Sequence, residues 1–517
     1  MDNRFGLKTH CIEAIIKVLS LHKEVEEALI FGSRAMGTYK NGSDIDLALK
    51  GKDINFDTIA AIRLHLAELP YIYMYDIIDY KKISNPAVTA HIDELGISFF
   101  KKEEIMSEWK TFKLGEFISH KKGYAFKSSL YKKKGCPIIR VSNFTNNSID
   151  FKDILFIDTQ EKNNFSDVEL KENNIVIATV GSWPNNPASV VGRVIKVPKV
   201  ANGSLLNQNA VIIYPNEKVD NIFLYYLLKE NKFSNYLVSG AQGSASQASI
   251  KLEQIYNYEI IIPSSLETQS QIAQILTALD DKIELNLQMN QTLEAMAQAI
   301  FKEWFVDFNF PGFDGVLVDG LPKGWRMGKL EEIVNVKGGT TPSTTKEEFW
   351  NGEYYWTTPK DLSNNQSPVL IDTERKITDL GVKQIGSGIM PKGTLLLSSR
   401  APIGYIAISQ VPISINQGYI AIQGKLVSNL FMLFWLKQNM GAVKSKANGS
   451  TFQEISKTNF REIDTIIPTN EILVKFDKIV KPIFEKIVEN VFQNQTLTAT
   501  RDTLLPKLMS GKIAIKR

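Results

Sequence analysis

Cysteine is nearly absent from this chain, and so are long apolar segments. The 517 residues include two cysteines, Cys11 and Cys136, which are too far apart for a CxxC metal pair and too few for a disulfide framework. We therefore expect a reducing, cytoplasmic setting. Nowhere do about 18 uncharged apolar residues run together, and the first residues lack the apolar core and cleavage site of a signal peptide. These absences argue against a membrane span and against a secreted precursor.

The chain has only a small excess of positive over negative charge, and the common cofactor motifs are missing. The net charge of +4 is compatible with a nucleic-acid partner but does not demonstrate one. The sequence has no GxxxxGK[ST] ATP loop, no glycine-rich S-adenosylmethionine loop and no NPPY-like methyltransferase tetrapeptide. Its length, with 44% apolar and 22% charged residues, predicts an ordinary globular protein of three or four domains.

The first hundred residues combine a glycine turn with three separated aspartates. Residues 10–22 have helical apolar spacing, and the following EEALIFGSRAMGTYKNGSDIDLALKG predicts strand, turn, loop and strand in a hairpin-like frame. Asp44 and Asp46 should share one face of the second strand, and paired carboxylates of this kind suit Mg²⁺. Asp76 lies in a third predicted strand, Tyr71–Ile78, where an acid is costly unless it is paired or binds a metal.

The motif GSRAMGTYKNGSDIDLAL resembles the GSRARG…SDxDL signature of minimal nucleotidyltransferases of the polymerase β superfamily. The resemblance covers about residues 10–102. It implies a Mg²⁺-dependent site for a nucleoside triphosphate, with phosphate contacts from Gly32 and Ser33 and catalytic metal ligands in Asp44, Asp46 and Asp76. Two other interpretations stay open: the acids are solvated turn residues, or the domain keeps the fold without activity.

From residue 109 onward the sequence repeats itself with a period of about 210 residues, which is too long for a solenoid and suits a duplicated domain. The matched segments are WKTFKLGEF and WRMGKLEEI, LNQNAVI and INQGYIA, FLYYLLK and FMLFWLK, and two IIP tripeptides. The offset falls from 216 residues between Trp109 and Trp325 to 204 between Asn290 and Asn494. Loop insertions between two copies of one fold would produce such a drift.

Each copy has a body with short β-type runs and then a long helix. The first helix is predicted over about residues 268–305, with Thr268 as its N-cap. The second is predicted over about residues 470–510, with Pro482 and Pro506 bending or ending it locally.

Both helices carry an apolar seam with coiled-coil spacing, over residues 272–304 and 473–508. Neither helix can hide its seam alone, so we expect the two to pack on each other. Asn286 and Asn290 on the first seam and Asn494 on the second would fix the register at some cost in stability.

This layout, with WxxxxLxE openings and IIP exits, closely resembles the specificity subunits of type I restriction–modification systems over about residues 107–517. The resemblance implies an α+β multidomain fold: a small nucleotidyltransferase α/β domain, then two α/β target recognition domains alternating with two long helices packed as an antiparallel coiled coil. The expected boundaries are residues 1–105 for the nucleotidyltransferase, 107–266 for the first body, 267–308 for the central spacer helix, 322–468 for the second body and 469–513 for the C-terminal spacer helix.

The same resemblance implies a function and partners. Each body would be a target recognition domain that reads one half of a bipartite site in double-stranded DNA, and the helices would act as a ruler between the halves. They would also dock two methyltransferase subunits, and translocase–nuclease subunits would join through the complex. This region would carry no catalysis and need no cofactor.

The side chains that contact DNA are predicted from residue type, because phosphates attract lysines and base edges are read by Arg, Asn or Gln. The candidates in the first body are Lys121, Lys122, Tyr124, Lys127, Arg140, Asn143 and Trp183. Those in the second body are Lys337, Thr341, Lys360 and Arg400. Asn207-Gln208 and Asn416-Gln417 recur in both copies, so they cannot distinguish two half-sites, and we expect a structural or backbone role for them.

Three functional classes remain open. The leading one is a DNA specificity subunit with an appended nucleotidyltransferase. In the second, the nucleotidyltransferase modifies a protein partner, as antitoxin-like members of its family do, and the DNA-binding part only locates it. The third is an interaction scaffold without activity. Dependence of any activity on Asp44 and Asp46 would separate the first two.

Overall fold

The chain combines many short strands with helices, two of which have 40 and 39 residues. The computed structural model describes residues 4–40, 42–102, 109–145, 148–185, 190–363, 365, 367–400, 402–449 and 453–513. The chain divides into two compact units, Met1–Thr277 with Asp502–Arg517 and Ala278–Arg501. In the described ranges no helix is both long and apolar enough to cross a membrane. The expected boundary between residues 105 and 107 lies outside them.

The first domain is a mixed sheet with the strand order β3-β2-β1-β4. Its strands are β1 Glu27–Phe31, β2 Ile45–Lys50, β3 Tyr75–Asp79 and β4 Ile97–Lys101, and its helices are α1 Thr9–Leu21, α2 Gly32–Ala35, α3 Phe56–Ala67 and α4 Pro86–Leu95. β1 and β2 form the predicted antiparallel hairpin, and β2 and β3 run parallel. β3 begins at Tyr75 rather than at the predicted Tyr71, because Ile72 and Met74 are exposed and have no core to pack against.

The first body contains one sheet with the order β11-β9-β13-β6 and a second with the order β12-β7-β8. Its strands are β5 Trp109–Lys113, β6 Ile118–Lys122, β7 Cys136–Ile139, β8 Leu155–Ile157, β9 Ile175–Ala178, β10 Val180–Gly181, β11 Val194–Lys196, β12 Leu205–Leu206, β13 Ala210–Pro215, β14 Gln242–Gly243, β15 Ala248–Ser249 and β16 Glu259–Pro263. Its helices are α5 Asn221–Lys229, α6 Asn231–Ser239 and α7 Leu252–Asn257, and α8 Leu266–Phe305 follows.

β9 is buried on both faces. Ile175 and Ile177 point into one hydrophobic core, and Val176 and Ala178 point into another. This double burial explains why the strand is a continuous apolar run instead of an alternating one.

The second body repeats this plan with the sheets β20-β27-β24-β25-β22 and β23-β21-β26. Its strands are β19 Arg326–Lys329, β20 Val334–Gly338, β21 Trp350–Thr357, β22 Val369–Leu370, β23 Arg375–Ile377, β24 Leu395–Ser398, β25 Ile406–Ser409, β26 Ile413–Ile415, β27 Tyr419–Gly424 and β28 Asp464–Ile467, after a short hairpin of β17 Leu317–Val318 and β18 Leu321–Pro322. Its helices are α9 Leu330–Ile333, α10 Pro359–Leu362, α11 Asp379–Val382, α12 Asn429–Ser445 and α13 Lys457–Arg461, and α14 Asn470–Leu508 follows.

The repeated opening and exit motifs pair with each other in both copies. β5 pairs antiparallel with β16, and β19 pairs in the same way with β28. In the opening WxxxxLxE the leucine is fully buried and the glutamate caps a turn. Glu116 accepts a hydrogen bond from the backbone N–H of Lys113, and Glu332 accepts one from Lys329, each at 2.9 Å. The motif thus joins each body to the start of its long helix.

The two long helices depart from prediction at their ends. α8 begins at Leu266, and the N-cap assigned to Thr268 is wrong, because the Oγ of Ser265 accepts a hydrogen bond from the Thr268 N–H at 3.2 Å. α14 ends at Leu508 and continues through Pro482 and Pro506, so neither proline ends it at its own position.

Within the second unit, α8 and α14 pack antiparallel through a buried polar seam. The Nδ2 of Asn286 donates to the Oδ1 of Asn494 at 2.8 Å, and the Nδ2 of Asn490 donates to the Oδ1 of Asn290 at 2.8 Å. Arg501 donates to Asp280 at 2.6 Å. The two residue numbers of each pair add up to 780 or 781. A constant sum means that one antiparallel register holds along the helix pair.

Replacing Asn290 alone tests this seam. Asn290→Leu should destabilise the second unit by about 1–3 kcal/mol, because Asn490 would stay buried without its hydrogen-bond partner. The double change Asn290→Leu with Asn490→Leu should recover most of that loss, since two leucines pack without polar groups. Urea unfolding monitored by tryptophan fluorescence measures both, with the exposed Gln291→Leu as the control. If Asn290→Leu were as stable as the wild type, the hydrogen bond between Asn290 and Asn490 would not stabilise the helix pair.

Candidate functional site

Asp44, Asp46 and Asp76 lie at one end of the neighbouring strands β2 and β3. Asp44 directly precedes β2, and Asp46 in β2 lies level with Asp76 of the parallel neighbour β3. Burial, then Asp76, then Asp44 raise the pKa of Asp46, while Arg34 opposes the rise. These like charges favour a bound cation, which would relieve their repulsion.

Gly32 at the end of β1 allows this arrangement. Its φ of +69° is left-handed, and a Cβ built there would lie 2.4 Å from the Oδ2 of Asp46. Any other residue at this position would be strained and would displace the carboxylate. Ser33 follows in the first turn of α2 and is half-buried.

Arg34 is a positioning residue that the sequence interpretation missed. It is 2% exposed and donates to the carbonyl oxygens of Phe5 at 3.0 Å, Asp44 at 2.9 Å and Ser43 at 3.1 Å. Its guanidinium also lies 5.2 Å from the ring centre of Tyr73. The GSRA motif contained this signal, because a buried arginine must satisfy its donors and can do so by binding the backbone of a neighbouring loop. Here it holds the loop that ends in Asp44.

The argument that burial makes Asp76 costly was wrong. Its side chain is 60% exposed, on the edge strand β3, and the Nη2 of Arg63 lies 3.7 Å from its Oδ1. The buried acid of this strand is Asp79, which accepts a hydrogen bond from the Lys81 N–H at 3.1 Å and pairs with Lys82 at 3.1 Å. Asp79 therefore has a structural role.

The donor set suits Mg²⁺, although no ready metal cage exists. Among the described residues, no three His, Cys, Asp or Glu side chains form a group that could hold a metal ion. Mg²⁺ needs only one or two carboxylates when phosphates of a substrate supply further oxygens. Asp46 with Asp44 or Asp76 meets that requirement, so the residues fit a metal that arrives with a nucleotide.

In the first body, some of the candidate DNA contacts already bind other residues of the protein and others do not. Lys121 pairs with Asp167 at 2.6 Å, Arg140 donates to the carbonyl of Asp153 at 2.8 Å, and Trp183 donates to the carbonyl of Ser244 at 2.8 Å. Three other candidates are exposed: Lys122, Tyr124 and Lys127. Tyr124 lies on a small aromatic cluster formed with Phe126 and Phe165.

Asn143 was wrongly assigned to base reading. It is 3% exposed, and its Oδ1 accepts a hydrogen bond from the Arg140 N–H at 3.0 Å as part of a capping turn. Asp361 occupies the same place in the second body, where it accepts from the Thr358 N–H at 2.7 Å. A position that caps the same turn in both copies is part of the scaffold.

The candidates of the second body are exposed or half-buried, and Lys337 lies in β20 while Lys360 lies in α10. Lys337 is exposed, Lys360 pairs with Glu374 at 2.8 Å, and Arg400 lies 3.7 Å from Glu454. The Oγ1 of Thr341 donates to Gln417 at 2.5 Å.

The repeated Asn-Gln segments have the expected structural role. The Asn207 N–H donates to the carbonyl of Ile139 at 2.9 Å, and the Asn416 N–H donates to that of Thr357 at 3.1 Å. A glycine lies against each segment. A Cβ would meet the Asn207 oxygen at 2.1 Å if built on Gly123, and the Ile415 oxygen at 1.8 Å if built on Gly339. Both copies therefore need glycine at this close approach.

Comparison with known proteins gives two matches. Residues 106–295 and 322–497, more than half of the chain, match the type I restriction modification DNA specificity domain, and residues 13–105 match the polymerase beta nucleotidyltransferase domain. The chain is 28% identical over 478 residues to the specificity subunit of the type I restriction enzyme HindI from Haemophilus influenzae, a match that covers 79% of this chain and 100% of that protein.

Two further similarities are shorter or more distant. The chain is 38% identical over 190 residues to the MjaIX specificity subunit from Methanocaldococcus jannaschii, covering 34% of this chain and 44% of that protein. A crystal structure of the type I restriction–modification S subunit from M. genitalium is 17% identical, covers 77% of this chain and 96% of that one, and has a TM-score of 0.48.

The raised pKa of Asp46 predicts a pH-dependent cost. The folded state binds this proton more tightly than the unfolded chain, so the carboxylate destabilises the domain increasingly as pH rises through the two pKa values, and costs nothing below both. Asp46→Asn should therefore slow amide hydrogen exchange in β2 at pH 7, with the difference vanishing in acid. The exposed Asp53→Asn is the control. An unchanged exchange rate in β2 at pH 7 would contradict the claim that the Asp46 carboxylate destabilises the domain.

Proposed function

The chain belongs to the family of type I restriction–modification DNA specificity subunits, and we propose that it reads a bipartite DNA target through its two bodies. In this proposal each body contacts one half of the site in double-stranded DNA. Two methyltransferase subunits dock on the chain and carry out the modification, and translocase–nuclease subunits join through the complex. The specificity region itself contributes recognition and no chemistry.

The observation that carries this proposal is the duplication of one scaffold with two different surfaces. The sheet orders β12-β7-β8 and β26-β21-β23 agree, and the turn that Asn143 caps in one copy is capped by Asp361 in the other. The exposed loops attached to these sheets share little sequence. Equal scaffolds with unequal loops are what two readers of different half-sites require.

The long helices supply the spacing in this proposal. At about 1.5 Å per residue, the 40 residues of α8 span about 60 Å, and the hydrogen-bonded seam with α14 fixes one register. The distance between half-sites then follows from the protein, as it does for dimeric readers. Large apolar side chains stay exposed on the helices, including Leu285 at 51% and Met296 at 50%, and support docking of a protein partner there.

For the first domain we infer a Mg²⁺-dependent transfer of a nucleotide from a nucleoside triphosphate. Asp46 with its neighbours Asp44 and Asp76 would hold the metal, and the turn at Gly32 and Ser33 would contact the phosphates. The crowding of like charges around Asp46 favours this function over that of a passenger domain, because unused carboxylates would only destabilise the fold. An antitoxin-like role, with a protein acceptor and the bodies serving to locate it, is the alternative form of the proposal.

Methylation mapping tests the DNA-reading function. In cells that express this chain with its cognate methyltransferase subunit, we expect a methylated motif of two specified halves around an unspecified spacer. The control strain expresses the methyltransferase subunit alone and should lack the motif. An assembled complex that produces no split motif would contradict the proposal and favour the nucleotidyltransferase as the working part.

A double variant tests whether the first domain is a separate module. Asp44→Asn with Asp46→Asn should leave the split motif intact and abolish transfer of label from α-³²P nucleoside triphosphates with Mg²⁺ to any protein of the complex. Asp53→Asn should keep both activities, because that exposed carboxylate lies outside the cluster. Loss of sequence-specific recognition in the double variant would overturn the modular assignment.

A further inference from the structure

Corresponding strands of the two bodies allow a residue-by-residue comparison of their surfaces. In the first body, Leu155 of β8 lies opposite Ile138 of β7. In the second, Arg375 of β23 lies opposite Trp356 of β21. The third strand of each sheet confirms the equivalence, because β12 runs parallel to β7 beside Ile138 and β26 runs parallel to β21 beside Trp356. One scaffold position is therefore aliphatic in one copy and cationic in the other.

The side chain of Arg375 lies over the ring of a buried tryptophan. Its Cζ lies 3.3 Å from the ring centre of Trp350, which is stacking distance, and 5.8 Å from that of Trp356. Both tryptophans are buried, at 6% and 3% exposure, whereas Arg375 is exposed. Contact with a buried ring restricts the motion of the guanidinium, which lowers the entropy lost when its donors bind a partner.

The same two tryptophans order the neighbouring loop. The indole N–H of Trp350 donates to the Ser343 carbonyl at 3.0 Å, and that of Trp356 donates to the Thr340 carbonyl at 3.3 Å. Thr341 in this loop is one of the candidate DNA contacts. Arg375 and this loop thus contact the same two buried tryptophans.

Arg375 has no salt-bridge partner among the described residues. The adjacent Glu374 already pairs with Lys360 at 2.8 Å. Lys376 stands next in the strand, with its Nζ 4.6 Å from the centre of the Tyr355 ring. The surface is therefore cationic and planar, and fits an electron-rich, flat, hydrogen-bond-accepting partner.

We propose that Arg375 reads a guanine in the half-site bound by the second body. A guanidinium can donate two parallel hydrogen bonds to the O6 and N7 of guanine, and no other base offers that pair of acceptors in the major groove. Leu155 at the equivalent position has no donor, so the first body cannot read a base from this position. The inference rests on the DNA-reading function proposed above and assigns one specificity-determining side chain within it.

The test is binding selection from a library of randomised duplex DNA, using the complex of this chain with its cognate methyltransferase subunit. Wild type should select a split motif with a guanine in one half. Arg375→Ala should lose discrimination at that one position by about 10- to 100-fold and keep the other half unchanged. Arg375→Lys should keep affinity for unrelated DNA, since the charge remains, and still lose the discrimination, since lysine cannot form the fork.

The control is Lys383→Ala, an exposed cation of the same body outside this surface. It should select the wild-type motif. If Arg375→Ala selected that motif and bound it as tightly as wild type, the proposal would fail while the DNA-reading function stood. A uniform loss of affinity with an unchanged motif would make Arg375 a phosphate contact and overturn the proposal too. Absence of any split motif with wild type would overturn both.

Discussion

The apolar seams of α8 and α14 must be covered, and the rest of the specificity region is arranged to do so. In the first unit, Ile272 and Leu276 at the start of α8 share a core with the first body and with Leu508 near the end of α14. In the second unit, Phe301 and Trp304 near the end of α8 share a core with the second body and with residues at the start of α14. The core of the first body therefore includes the start of α8 and the end of α14. The core of the second body includes the end of α8 and the start of α14.

This interleaving makes the core of each body depend on both helices. A body without both helix ends would leave large apolar side chains in water, at about 25 cal/mol for each Å². A displaced register would also separate Asn290 from Asn490 and leave two buried amides unpaired, which costs more than the hydrogen bond itself contributes. The seam therefore selects one register among the several that a uniform apolar stripe would allow.

Much of this organisation was predictable from the sequence, because it depends on periodicity and repetition. The duplication, the hairpin of the first domain and the seam positions around Asn286 and Asn290 follow from spacing alone. Asn490 was missed because its burial comes from the antiparallel partner, which the spacing of a single helix does not specify. The exposure of Asp76 was missed because an edge strand and a central strand have the same local pattern.

The sequence could not separate exposed polar side chains from those that support the fold, because a loop residue has the same local sequence in either case. Asn143 has the residue type of a base reader, yet its side-chain Oδ1 caps a turn. Arg375 lies in a strand and belongs to no motif, and only the pairing of β23 with β21 shows that it is exposed beside two tryptophans. Residue type alone therefore does not separate a polar side chain that supports the fold from one that faces solvent.

Duplication also bears on how one fold would serve the two half-sites proposed above. Positions that hold the backbone, such as Gly123 and Gly339, cannot change without strain and so stay the same in both copies. Strand positions at the same register can differ in side chain, as the half-buried Leu155 of the first body and the exposed Arg375 of the second show. Specificity should therefore lie where the two copies agree in backbone and differ in chemistry, and a comparison within one chain can locate such positions.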